Sequence, residues 1–139
     1  MPTNKIQLLS QKKTLWIDAD TYLFFPTLAH TEALFTIIKE QRSYLEKHLP
    51  WVKNIQKEWH AQGFIREAMM MNKGQQRLTT FIIYQEQLVG AVSLLKIDHR
   101  DKRAEIGYWL RSDRQNLGIM TRSCQRLIHY AFKGLHLHR

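Results

Sequence analysis

Apolar positions in this chain recur at two different spacings, and each change of spacing marks out an element. Thr14-Leu15-Trp16-Ile17 and Tyr22-Leu23-Phe24-Phe25 are short, rich in aromatic and branched residues, and separated by Asp18-Ala19-Asp20. They predict one or two short strands ending at Pro26. From His30 the period lengthens: Ala33, Leu34, Ile37, Ile38 and Leu45 fall three and four residues apart, predicting an amphipathic helix that ends before Pro50. Leu49-Pro50-Trp51 is a break. A second helix is predicted from Lys57 to Asn72, with Trp59, Ile65, Ala68 and Met69 inward and Gly74 as its stop. The Met69-Met70-Met71 run reads as adaptable core.

The spacing then returns to two. Leu78–Tyr84 and Leu88–Ile97 flank Gln85-Glu86-Gln87 as a hairpin, and Arg103–Leu110 follows as a third strand after the polar connection His99-Arg100-Asp101-Lys102. A polar loop, Arg111 to Gly118, leads into a helix carrying Met120, Cys124, Leu127, Ile128, Ala131 and Phe132 at helical spacing, with Gly134 as a cap. The order of strand, two helices, three strands and helix indicates an α+β or α/β class, with a strand-loop-helix unit at its centre.

At 139 residues the chain fits one domain, and a 44% hydrophobic share supports a core. Residues 1–13 read as a polar lead-in, and residues 14–139 as the domain. No apolar run reaches the roughly 18–20 residues of a membrane span, and no signal-peptide core is present. A single cysteine, Cys124, excludes an internal disulfide framework and a cysteine-based zinc site. A cytoplasmic location and no membrane partner are expected.

Charge sharpens the picture. The net charge is +9, and residues 96–139 carry 10 basic and 4 acidic groups against 11 and 8 in residues 1–95. A basic C-terminal third suits an anionic partner, nucleic acid or a phosphorylated ligand, or is simply a soluble surface. No arginine-rich recognition helix, RNA-binding aromatic signature or zinc-finger spacing accompanies it, so direct nucleic-acid binding is not expected.

A loop entering a helix presents unpaired amides reinforced by the helix dipole, which makes an anion site. The amides of Leu117 through Thr121 would supply donors, Gly118 leaves room for a phosphate, and Arg111, Arg114 and Arg122 add charge around the opening.

Ala104-Glu105-Ile106-Gly107-Tyr108-Trp109-Leu110, followed by Gln115-Asn116-Leu117-Gly118-Ile119-Met120-Thr121, resembles the acetyl-CoA site of the GNAT superfamily of N-acetyltransferases. Within it, the segment is most similar to the RimL/RimJ-like branch of ribosomal-protein N-terminal acetyltransferases. The loop matches a Gln/Arg-x-x-Gly-x-Gly/Ala signature with Met120 in the last place, and Leu49-Pro50-Trp51 and Leu88-Val89-Gly90 have counterparts in that branch. The resemblance covers roughly residues 21–139. It implies a GNAT fold, a mixed sheet flanked by helices, and acetyl-CoA as cosubstrate with no metal.

By that resemblance, the amides of Leu117, Gly118, Ile119, Met120 and Thr121 hold the CoA pyrophosphate, and Gln115 and Asn116 shape the loop. The backbone of Tyr108, Trp109 and Leu110 pairs with the pantetheine arm like an added strand and polarises the thioester carbonyl. Glu105 is the candidate general base that frees the acceptor ammonium of its proton; the alternative is a solvated strand charge paired with Arg103 or Lys102. An α-amino group titrates near 8 and lysine near 10.4, so preparing lysine costs about 3 kcal/mol more at neutral pH. The expected acceptor is therefore a protein N-terminal α-amino group, of ribosomal-protein type, with a small amine (a polyamine or an aminoglycoside) as the alternative.

Other residues read as structural. Cys124 lies on the apolar stripe as a buried thiol, and His129, His136 and His138 lack the carboxylate or cysteine partners of a metal site. Trp51 and Trp59 fit core packing or an acceptor channel, and His48 is a candidate acceptor contact. The resemblance implies further strands beyond Arg139, so the chain is expected to lack the last strands of the fold and to carry no assignable general acid. Self-association through the incomplete sheet edge is expected, and an inactive, truncated CoA-binding remnant is the competing reading.

Overall fold

A computed structural model describes residues 14–135, with side chains to Lys133. The lead-in 1–13, His136 and His138 lie outside the described residues. The elements are β1 (Thr14–Trp16), β2 (Thr21–Phe24), α1 (Thr31–Glu40), α2 (Arg42–Glu46), α3 (Glu58–Lys73), β3 (Leu78–Tyr84), β4 (Gln87–Asp98), β5 (Arg103–Leu110) and α4 (Ile119–Tyr130). Single 3-10 turns at Leu28–His30, Pro50–Asn54 and Ser112–Arg114 connect them, and a π turn, Ala131–Leu135, follows α4.

The five strands form one sheet in chain order, β1-β2-β3-β4-β5, with every pairing antiparallel. Both faces are covered. One core, including Leu23, Ile82, Val92, Leu110, Ile119 and Leu127, lies under α4. The other, including Leu34, Ile38, Leu45, Ile65, Phe81 and Ala91, lies under α1–α3. Burying a side chain such as Phe81 or Leu34 contributes about 1.5–3 kcal/mol, which is what holds the amphipathic helices down.

The sheet is irregular at one point that matters for the site. Ile82 opposes Gly90 while Ile83 opposes Leu88, so β4 carries one extra residue there. The extra residue resets the alternation: Val89 and Val92 face α4, whereas Leu88 and Ala91 face α1–α3.

Four expectations are corrected. The helix predicted from His30 to Leu49 is two helices, because Gln41 leaves helical geometry at φ −114°, ψ 17°. Trp59 is not inward but 65% exposed, and Met70 is 69% exposed, so the methionine run is not core. Phe132 is exposed as well, since the chain leaves the α-helical phase at Ala131. Cys124 packs half-buried, rather than fully buried, against the α4-side core, and burial raises its pKa.

Candidate active site

The end of β5, the turn after it and the start of α4 enclose a cavity of about 540 Å³ with α2 as its opposite wall. The strand side is Tyr108, Trp109 and Leu110; the loop side is Gln115, Asn116 and Gly118 with Ile119, Met120 and Thr121. Of the ten residues expected to hold a cofactor, only Leu117 is missing from the wall; its side chain points to solvent.

Local geometry turns this opening into an anion cradle. Asn116 and Gly118 sit in the left-handed region at φ 68° and 74°, which swings the chain sharply into α4. For Gly118 that conformation is free of the ~1–2 kcal/mol a Cβ would add. The Arg122 N–H donates to the Gly118 carbonyl at 3.1 Å as the first bond of the helix, so the amides of Ile119, Met120 and Thr121 precede it and lack helical acceptors. They line the cavity with the positive end of the helix dipole behind them.

The three arginines do not supply the free charge expected of them. Arg111 pairs with Asp113 at 2.7 Å and with Glu40 at 3.3 Å. Arg114 pairs with Asp113 at 3.8 Å. Arg122 donates to the Leu117 carbonyl at 3.1 Å and faces Asp18 at 3.4 Å. They act as latches, because each spends its guanidinium on a neighbour that fixes the loop. Asp113 responds with a lowered pKa, caused first by its hydrogen bond from Arg111. Asp18 is lowered too, first by the Asp20 amide and with Arg122 contributing less.

Further latches span the two walls. The Gln41 side-chain oxygen accepts from the Ser112 N–H at 2.8 Å and its hydroxyl at 3.0 Å. The Gln115 amide donates to the Tyr44 hydroxyl and, at 3.3 Å, to the Leu110 carbonyl. Tyr44 and His48, one helical turn apart with rings 5.5 Å from each other, form the wall that sequence reading missed apart from His48. Their four-residue spacing was visible, but nothing local showed which surface they would face.

Glu105 lines neither this cavity nor the smaller trough beside it. It lies on the α1–α3 side of β5, two residues before Gly107, with its carboxylate 3.6 Å from the Lys96 ammonium rather than from Arg103 or Lys102. Trp51 is half-buried, stacked on Phe64 at 4.5 Å and edge-on to Trp109 at 6.3 Å, and lines that trough. Among the described residues no cluster of His, Cys, Asp and Glu fits a metal ion, and no helix is long and apolar enough to cross a membrane.

These features match known proteins. The acetyltransferase (GNAT) domain family covers residues 22–139. The ribosomal-protein-serine acetyltransferase of Escherichia coli (strain K12) is 30% identical over 106 residues, 76% of this chain; the chain spans 59% of that relative's length. The microcin C7 self-immunity acetyltransferase MccE, solved with acetyl-CoA and AMP, superposes with a TM-score of 0.81 at 31% identity, over 85% of this chain and 66% of that one. RimL, the ribosomal L7/L12 α-N-protein acetyltransferase solved with coenzyme A, gives 0.82 at 24% identity, over 87% and 69%, a likeness of fold.

Proposed function

The chain belongs to the GNAT acetyltransferase family, and on that premise we propose that it moves an acetyl group from acetyl-CoA to the α-amino group of a protein N-terminus of ribosomal type. The observation that carries the reading is the cavity in which the helix-free amides of Ile119–Thr121 converge with the end of an edge strand, β5.

Acetyl-CoA brings the chemistry of an activated thioester. The residues present fit it: the Gly118 turn leaves the α4 amides open to a pyrophosphate, and β5 has no strand partner beyond it among the described residues. Along β5 the backbone of Tyr108–Leu110 holds a pantetheine arm by strand addition. An amide there, fixed before reaction by the sheet, stabilises the negative charge that develops on the carbonyl oxygen. Glu105, which lies on the α1–α3 face of β5 outside both cavities, takes the ammonium proton of the acceptor through water. Tyr44 and Gln115 keep the two walls of the cavity at a set distance.

MccE is named for self-immunity rather than for ribosomal-protein acetylation and was solved with AMP beside acetyl-CoA, which leaves room for a second reading in which the acceptor is a small amine. Incubation with labelled acetyl-CoA and a panel of N-terminal serine peptides, N-blocked lysine peptides and polyamines separates the two. Label on the free α-amine of the peptides is the expected result. Label confined to polyamines supports the second reading, and no CoA binding at all overturns both.

A further inference from the structure

Beside the CoA cavity, and sharing Leu49, Tyr108 and Trp109 with it, a trough of about 170 Å³ crosses the α1–α3 face of the sheet. Its floor is a row of facing residues: Thr79 opposes Ser93, and Ser93 opposes Gly107. At Gly107 the floor has no side chain of its own, and the Leu95 side chain packs over it, 2.7 Å from where a Cβ would stand. Trp51, Phe64 and Trp109 make an aromatic wall. The volume equals about five to six waters, room for one side chain and no more.

Arg77, just before β3, lines the far end of this trough. Six arginines among the described residues are half-buried, and five are taken up by protein partners: Arg42, Arg111, Arg114, Arg122 and Arg126. Arg77 alone has no hydrogen bond or ion pair among the described residues, although its Nε is shielded from solvent. A guanidinium nitrogen withdrawn from water without an acceptor is unfavourable until something supplies one. The hydroxyls nearby do not: Ser93 donates to Thr79 at 3.2 Å, and neither receives a hydrogen bond from Arg77.

We propose that Arg77 determines acceptor specificity by binding a carboxylate on the second residue of the N-terminus to be acetylated. The proposal rests on the acetyl-transfer reading above and adds the substrate class. A carboxylate suits the planar fork of a guanidinium, which takes two parallel hydrogen bonds. The distance also suits it. Arg77 lies two strand spacings across from β5, about 10 Å, and about four residues, about 13 Å, along from the Trp109 row, which pairs through Ala91 to Phe81. The long arginine side chain together with an extended residue or two and an acidic side chain bridges that diagonal. An α-amine at the Tyr108–Trp109 junction of the two cavities therefore directs the next side chain along the trough to Arg77.

The test titrates Ser-Asp-, Ser-Ala- and Ser-Lys-initiated peptides into the chain with CoA present, following the fluorescence of Trp51 and Trp109 and, in parallel, heat. The Ser-Asp peptide is expected to bind about tenfold more tightly than Ser-Ala, the worth of one charge-assisted hydrogen bond. Arg77→Gln is expected to erase that difference, Arg77→Lys to keep part of it, and both to leave CoA affinity as it was. Equal affinity of the parent chain for all three peptides overturns the proposal even if both variants fail to fold. So does a Ser-Asp preference that survives in Arg77→Gln. Failure of CoA to bind strikes the acetyl-transfer reading instead, and the peptide series repeated without CoA then still decides the role of Arg77.

Discussion

A Cβ added to Gly90 would stand 2.2 Å from the carbonyl oxygen of Trp109 and 3.0 Å from the Cα of Leu110. The backbone of β4 at its bulge thus presses directly on the β5 residues that line the proposed CoA cavity, and only a hydrogen fits between them. The bulge is how the sheet brings that end of β5 into position.

Gly90→Ala forces β5 away from β4, because backbone cannot yield as a flexible side chain can. Overpacking of this kind costs about 1–3 kcal/mol, and thermal unfolding should show a melting temperature lower by roughly 5–10 °C. CoA affinity should fall with it. An unchanged melting temperature would mean that the contact between Gly90 and Trp109 is looser than the structure has it.

Gly118→Val puts a β-branched residue at φ 74°, where even alanine is strained, and its side chain crowds the Arg122 guanidinium that reaches back over the loop. CoA affinity measured by calorimetry should drop about tenfold or more. Since Asp18, Glu40 and Asp113 neutralise the nearby arginines, that affinity should also fall only modestly as salt rises. Steep salt dependence would show that free guanidinium groups, rather than amides, hold the phosphates.

Glu105→Gln removes the proposed proton acceptor while keeping shape. Turnover should fall about a hundredfold, with CoA affinity nearly unchanged. The deficit should be largest at low pH and shrink as the acceptor amine deprotonates unaided. A rate equal to the parent's near pH 7 assigns Glu105 to its surface pair with Lys96 alone.

His30 gives the fold a pH dependence of its own. Its ring sits between Phe24 and Phe81, with centroids 5.2 and 5.3 Å away, and its Nδ1 accepts the Thr27 N–H at 3.0 Å. Burial lowers its pKa, with the Thr27 backbone opposing more weakly. The unfolded chain therefore binds a proton more readily than the folded one. The neutral ring's contribution is complete above the ordinary value near 6.5 and is lost as pH falls from there through the folded value. Melting temperature should decline between pH 7.5 and 5, and His30→Phe should flatten the decline. The lowered carboxylates Asp18, Asp98 and Asp113 act only below this window, as pH drops under about 4.

Much of the site could be read along the chain because it is local. Arg103–Leu110, the loop and the Gly118 turn are contiguous, and the φ requirement and the orphan amides of a helix start follow from a short stretch of backbone. The paired strands around Gln85–Gln87 and the apolar stripe of α4 are likewise properties of neighbouring residues. Periodicity is silent on what an element packs against. Tyr44 meets Gln115, and Gln41 meets Ser112, across 71 residues of sequence, so the second wall of the cavity exists only once α2 is docked. Packing between distant segments likewise brought Glu40 to Arg111 and Asp18 to Arg122, whereas Asp113 reaches Arg111 and Arg114 from within the loop itself. It also left Trp59 outside and Arg77 half-buried without a partner. Backbone conformation is decided by a residue and its neighbours, whereas the partner of a side chain is decided by packing between distant segments, which no local spacing encodes.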